Sequence, residues 1–165
     1  MTFDVAVLGA GIGGASVAFY AARAGLRVVL VDRGPAAAGA TGQAAANIRC
    51  HHTDPRIAKL AIEGRETYRH WRDVVGGDCG FVETGGLYIA PPEDAAKLRH
   101  NNEMLRGLGL NTLSLSPSEL RVLQPMMVTE DVGAAAYEPE SGYADPALAV
   151  AGLLEAARAS GADVR

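Results

Sequence analysis

The stretch FDVAVLGAGIGGASVAFYAARAGLRVVLVD, Phe3 to Asp32, constrains this chain more than any other. The apolar run Val5 to Leu8 reads as a buried parallel strand. Gly9, Gly11 and Gly14 follow in the spacing G-x-G-x-x-G, with Ile12 and Gly13 between them. Ile12 to Ala24 reads as a helix closed by Gly25, and Val28 to Val31 as a second strand ending on Asp32. In such a βαβ unit the first glycine makes the turn, the second lets a diphosphate approach, and the third lets the helix pack on the strand. The helix N-terminus supplies unpaired N–H donors to the anion. An acid about 20 residues on, here Asp32, is placed to accept hydrogen bonds from an adenosine ribose.

No charged residue lies between Val5 and Ala22, and about 18 such residues could span a bilayer. Four central glycines and the absence of a basic segment before the run argue against a membrane span or a signal peptide. The chain of 165 residues has room for one ordinary domain. A net charge of −4 without a basic block disfavours nucleic acid as a partner. Two cysteines, Cys50 and Cys79, suggest a reducing, cytoplasmic setting and no disulfide framework.

Beyond the first unit, Ala36 to Arg49 is rich in small residues and reads as a functional loop. Asp54-Pro55 starts a helix with Ile57, Leu60, Ala61, Tyr68, Trp71 and Val75 on one stripe, ended by Gly76-Gly77. That helix would be about 30 Å long at roughly 1.5 Å per residue, with Tyr68 and Trp71 in the core. Gly85-Gly86 divides two short strand-like runs, which suggests a hairpin or a bulge. Glu93 to Leu108 reads as a polar helix, Leu113 to Leu115 as a strand, and Ser116 to Glu119 as a capping box. Val132 to Tyr137 is expected to be a strand and Glu138 to Tyr143 a loop, followed by an Asp145-Pro146-capped helix and a strand beginning at Ala162. The pairs Glu63/Glu66 and Glu138/Glu140 read as solvated charges. His51 and His52 read as surface histidines more readily than as groups beside a ligand. No spacing typical of a metal site is present.

Several of these pieces together resemble the FAD-dependent D-amino acid oxidase family, which includes glycine oxidase, sarcosine oxidase and D-amino acid dehydrogenase. The pieces are VAVLGAGIGGASVAFYAARAGLRVVLVDRG, GATGQAAANIR, ETGGLYIA and GAAAYEPESGYADPALAVAGLLEAARASGADVR, in family order over nearly the whole chain. The resemblance implies an α/β class: a Rossmann-like FAD-binding βαβ and the beginning of an α+β substrate domain, truncated relative to the family. On that reading residues 1–78 hold the FAD-binding βαβ, flavin loop and long helix. Residues 79–143 form a partial substrate domain, and 144–165 return to the FAD domain.

The resemblance places Gly9, Gly11, Ile12, Gly13 and Gly14 on the FAD pyrophosphate and Asp32 with Arg33 at the adenosine ribose. It runs Thr41, Gly42, Gln43, Ala44 and Ala46 along the pyrophosphate, ribityl chain and flavin edge. In related dimethylglycine and sarcosine dehydrogenases a histidine in this loop attaches the flavin covalently. Gln43 stands at that position, and an amide cannot form that bond, so non-covalent FAD is implied. Arg49 corresponds to an arginine that holds the substrate carboxylate in sarcosine-oxidase-like members. The implied reaction is oxidation of an amine or amino acid, with hydride transfer to flavin N5 and hydrolysis of the resulting imine. Two other readings stay open: an NAD-linked dehydrogenase, and a nucleotide-binding fragment without catalysis. The expectation is that the isolated chain turns over little substrate and needs a C-terminal part or a second chain.

Overall fold

The structure, a computed structural model, describes residues 2–165. In chain order the elements are β1 (Val5–Leu8), α1 (Ile12–Arg23), β2 (Val28–Val31), β3 (Asn47–Ile48), α2 (Pro55–Arg69), α3 (Trp71–Val74), β4 (Val82–Glu83) and β5 (Gly86–Ala90). They continue with α4 (Ala95–Gly107), β6 (Leu113–Leu115), α5 (Pro117–Leu123), β7 (Ala134–Glu138), β8 (Gly142–Tyr143), α6 (Pro146–Ala159) and β9 (Asp163–Val164). They divide into two compact units. The first comprises the chain up to Asn47 with Thr67–Val82 and Tyr143–Arg165; the second comprises Ile48–Glu66 and Glu83–Gly142. Residues 48–66 thus cluster with 83–142 rather than with the first βαβ.

In the first unit β1, β2 and β9 form a parallel sheet in that order. Val7 pairs with Leu30 and Leu8 with Val31, so one face carries Val7, Val28 and Leu30 and the other carries Leu8 and Val31. The first face is buried and packs with α1 and α6. Both helices offer small residues at the contact, Ala15, Ala18 and Ala22 on α1 and Ala149 and Ala157 on α6, with Phe19, Val150, Leu153 and Leu154 filling the space between. Helix α1 ends in a Schellman motif: the Gly25 N–H donates to the Ala22 carbonyl and the Leu26 N–H to that of Ala21. Gly25 takes the positive φ of +84° that this closure requires. Asp145 caps α6 by accepting from the N–H groups of Ala147 and Leu148.

The second unit holds the antiparallel sheet β5-β7-β6. Its central strand β7, sequence AAAYE, is buried along nearly its whole length. Leu120, Val132 and Ala135 form one core cluster, and Cys50, Ala58, Leu105 and Leu110 another. The capping box of α5 is present, with the Ser116 hydroxyl accepting from the Glu119 N–H and the Glu119 carboxylate accepting from the Ser116 N–H.

Three expectations are corrected. The helix from Pro55 is split at His70, whose φ of −110° and ψ of 29° leave the helical region. Its buried side is Ala58 and Arg65, with Ala61 and Ile62 packed behind, while Ile57 and Leu60 are exposed; Tyr68 and Trp71 do enter the core. The apolar stripe at Ile57 therefore runs one residue off the face that packs. The runs on either side of Gly85-Gly86 make no hairpin or bulge, because β4 and β5 belong to different sheets. Gly85 instead lets the chain press on the Tyr137 ring, which a Cβ there would approach to 2.5 Å. Glu138 is not in a loop but is the last residue of β7. Leu30→Ala is expected to destabilise the chain by about 2–5 kcal/mol, the range for emptying a buried leucine site. Leu8→Ala, at a side chain 85% exposed, is expected to change little; urea unfolding of both variants checks the contrast.

Candidate functional site

Between β1 and α1 the chain turns on Gly9, whose φ of +105° lies in the left-handed region. A Cβ on Gly14 would stand 1.9 Å from the Gly9 carbonyl oxygen, so the first turn of α1 fits against the end of β1 only without one. A Cβ on Gly11 would meet the Thr41 hydroxyl at 3.0 Å, whereas Gly13 has nothing within 4 Å of such an atom. Space above the helix start is therefore open at Gly13. The Ala10 N–H donates to Asp32 Oδ2 at 2.6 Å, and the Ile12 N–H donates to Thr41 Oγ1 at 3.1 Å. Among the described residues the N–H groups of Gly13 and Gly14 have no acceptor. Donors at a helix N-terminus, next to open space, suit an anionic group.

Asp32 lies at the end of β2 and turns back on the glycine loop. Its other oxygen accepts from the Gly34 N–H at 3.0 Å. The Ala10 and Gly34 N–H groups hold its carboxyl below the usual range, so it is ionised at neutral pH. Each oxygen keeps acceptor capacity for a hydroxyl. Arg33 beside it is exposed. The loop after β2 brings Thr41 to the helix start. Gly42 has its own reason: a Cβ would lie 2.3 Å from the Ala37 carbonyl oxygen. Gln43 and Ala44 are exposed, and the Ala46 carbonyl accepts from the Ala144 N–H. Asp32 and Thr41 thus converge on the glycine loop, while Arg33 and Gln43 are exposed and, among the described residues, make no hydrogen bond to it.

Arg49 belongs to the second unit, where its side chain is exposed and Nη1 donates to the His51 carbonyl at 3.3 Å. Near it lies a network that the sequence reading missed. Glu138, read as a solvated charge, is completely buried. Its Oε2 accepts from the Ser141 hydroxyl at 2.7 Å and the Cys50 N–H at 3.1 Å. Its Oε1 lies 3.3 Å from His51 Nδ1. That approach is off the line of a good hydrogen bond, and neither atom has another hydrogen-bond partner. The contact is best taken as an electrostatic pairing, since both atoms are buried and face each other. His51, read as a surface side chain, stacks on Tyr88 at 4.1 Å between ring centroids, and its Nε2 meets the Asn101 amide at 3.2 Å. The available signal was the run of small residues leading to it: Ala134, Ala135 and Ala136 are all buried, on both faces of β7, and Glu138 ends the same strand.

Burial pushes Glu138 up, but His51, the Ser141 hydroxyl and the Cys50 N–H outweigh it, and the carboxyl sits below its ordinary 4.5. Burial also pushes the Cys50 thiol up to about 11, which keeps it protonated and a poor ligand or nucleophile. Among the described residues no three His, Cys, Asp or Glu side chains converge as a metal site, and no helix is long and apolar enough to cross a membrane.

Comparison with known proteins bears on what this arrangement serves. The human mitochondrial sarcosine dehydrogenase is 29% identical over 99% of this chain and 18% of its own length. The glycine oxidase of Geobacillus kaustophilus is 29% identical over 97% of this chain and 45% of its own length. The chain therefore spans less than half the length of these relatives. Among solved structures, L-proline dehydrogenase from P. horikoshii superposes with a TM-score of 0.88 over 99% of this chain and 43% of its own, at 24% identity, which bears on the fold alone.

A depressed carboxyl stabilises the native state fully above its unfolded pKa, and that contribution is lost as pH falls through the lower native value. The chain is therefore expected to lose stability as pH drops below about 4.5. Glu138→Gln should flatten that acid limb and cost about 1–3 kcal/mol at pH 7; urea unfolding across the acid range checks both. Residues 4–165 match the family described as FAD dependent oxidoreductase, and on that match the chain belongs to it.

Proposed function

We propose that this chain carries the FAD-binding turn and part of the substrate framework of an oxidoreductase that acts on the C–N bond of an amine or amino acid. The observation that carries the reading is the glycine turn: an open helix start with unused N–H donors, flanked by an ionised Asp32. These residues fit FAD, the cofactor of the family. Gly11, Ile12, Gly13 and Gly14 would hold its diphosphate, with Gly9 setting the turn. Asp32, with Arg33 alongside, would hold the adenosine ribose. Thr41, Gly42, Gln43, Ala44 and Ala46 would line the stretch toward the flavin. FAD, when bound, supplies the acceptor for the hydride removed from the carbon bearing nitrogen.

The protein's share is binding and orientation. The Gly13 and Gly14 amides neutralise phosphate charge without a side chain in the way. Asp32 selects against a 2′-phosphate by charge repulsion, which disfavours NADP. Gln43 offers no atom for a covalent link, so FAD is held non-covalently at this loop. Arg49 takes the substrate carboxylate, because a guanidinium fork makes two parallel bonds to it. The substrate class follows the relatives, named for glycine and sarcosine. Cys50 and Cys79 are both free thiols, which supports a reducing, cytoplasmic setting.

Flavin fluorescence titration of the 165-residue chain tests the reading. FAD should bind in preference to NAD, and Asp32→Ala should weaken FAD by about tenfold or more, the scale of a lost bond to a charged partner. Preference for NAD, or an Asp32→Ala variant that binds FAD as well as the parent, would overturn it.

A further inference from the structure

We propose that Glu138, His51 and Tyr88 form a positioning device for Arg49, holding its guanidinium ready for a carboxylate. The inference rests on the reading of Arg49 as the carboxylate contact and extends it to residues with no role in that reading. All of them lie in the second unit.

The device starts at Glu138, which is 0% exposed. A buried carboxylate needs several donors to remain charged. It takes one from Ser141 and one from the backbone of Cys50, and it faces His51 Nδ1. The Cys50 N–H contact ties the strand-to-helix loop to β7 at the residue directly after Arg49. His51 is then held on three sides by three different elements. Glu138 comes from β7, Asn101 from α4 and Tyr88 from β5, the last stacked at an interplanar angle of 15°. The Asn101 amide N–H needs a lone pair on Nε2, so the ring proton resides on Nδ1, facing Glu138. One arrangement turns the Nδ1 proton toward Glu138 and the Nε2 lone pair toward Asn101, and the imidazole cannot turn over without losing both contacts.

The ring contacts together with the Cys50 N–H bond to Glu138 restrain the backbone at His51, whose carbonyl is where Arg49 Nη1 donates. Tyr88 acts on the tether through its ring, which lies flat on the His51 imidazole. Arg49 is therefore tethered at one edge while its side chain reaches solvent. A guanidinium has five N–H donors, and the tether leaves enough of them for a bidentate pair with an incoming carboxylate. A free arginine would lose rotamer entropy on binding; a tethered one has already lost it.

The test compares glycine with glycinamide, which share an ammonium group and differ in the carboxylate, by NMR titration of the full 165-residue chain. The parent should prefer glycine, and Arg49→Ala should abolish the preference. Glu138→Gln, His51→Phe and Tyr88→Leu should each weaken glycine by about five- to tenfold and leave glycinamide unchanged, as expected for lost preorganisation. A purely structural role would weaken both probes together. Leu30→Ala, destabilised at a distant core site, serves as the control and should keep the parent preference. If Arg49→Ala abolishes the preference while the folded Glu138, His51 and Tyr88 variants retain it, the positioning claim is overturned and the Arg49 reading stands. If Arg49→Ala keeps the preference, the Arg49 reading fails. The positioning claim is then decided by the Arg49 Nη1 proton signals, the group that donates to the His51 carbonyl. Solvent exchange that is slow in the parent and at least about tenfold faster in Glu138→Gln supports it, and unchanged exchange overturns it. Tyr88→Leu removes the stacked ring and leaves Glu138 with its Ser141 and Cys50 donors, so it carries the test should Glu138→Gln fail to fold.

Discussion

The first unit depends on one close approach, the packing of Gly14 against the Gly9 carbonyl. With 1.9 Å between that oxygen and a notional Cβ, no other residue allows α1 to leave β1 at this angle. The same approach exposes the helix start, because the chain reaches it through a turn whose one side chain between glycines, Ala10, is small and buried. Structure and binding capacity thus share one cause. Asp32 completes the arrangement from the far end of β2: by accepting from Ala10 it joins the second strand to the turn. The acid that would meet a ribose is also the acid that shapes the loop, so its two roles use different lone pairs of one carboxylate.

The second unit is organised around a charge in its interior. Isolated, a carboxylate as buried as Glu138 would protonate or drive the strand open. Here the donors come from parts of the chain far apart in sequence, Cys50 lying 88 residues from Glu138. Such a group stabilises little when compared with a well-packed apolar one, yet it is intolerant of any misplaced partner. That intolerance fixes the segment carrying Arg49. Arg65 shows a related pattern: it is buried and paired with Glu66 and Glu140, so this unit holds two charges inside where an apolar core would have been simpler.

How much of this was legible follows from the range of the forces involved. Local chemistry announces itself. The glycine spacing, the Ser116 capping box, the Asp145-Pro146 helix start and Gly25 after α1 each act within a few residues, and each was readable. Asp32 was readable because the β-α-β register fixes its distance from the turn. The split at His70, the exposure of Ile57 and Leu60 and the separation of β4 from β5 depend on which surface each segment meets, which no local pattern states. Glu138 fell between the two cases. Ending the strand one residue early turned the most buried carboxylate among the described residues into a presumed surface charge, although the strand carried through AAAYE is buried at four of its five positions.

The exposed face of the parallel sheet argues in the same direction. Parallel sheets are usually covered on both faces, since their strands are apolar throughout. Here Leu8 is 85% exposed and Val31 40%, while Val7 and Leu30, one residue earlier on each strand, are closed off. The strands therefore carry a two-sided apolar pattern in a setting that uses one side. The sequence of β1 and β2 thus calls for more packing than α1 and α6 provide. Stability measured on this chain reports one sheet face, whereas the glycine turn at the end of β1 draws its geometry from Gly9 and Gly14 and from the bonds that Asp32 and Thr41 make to it.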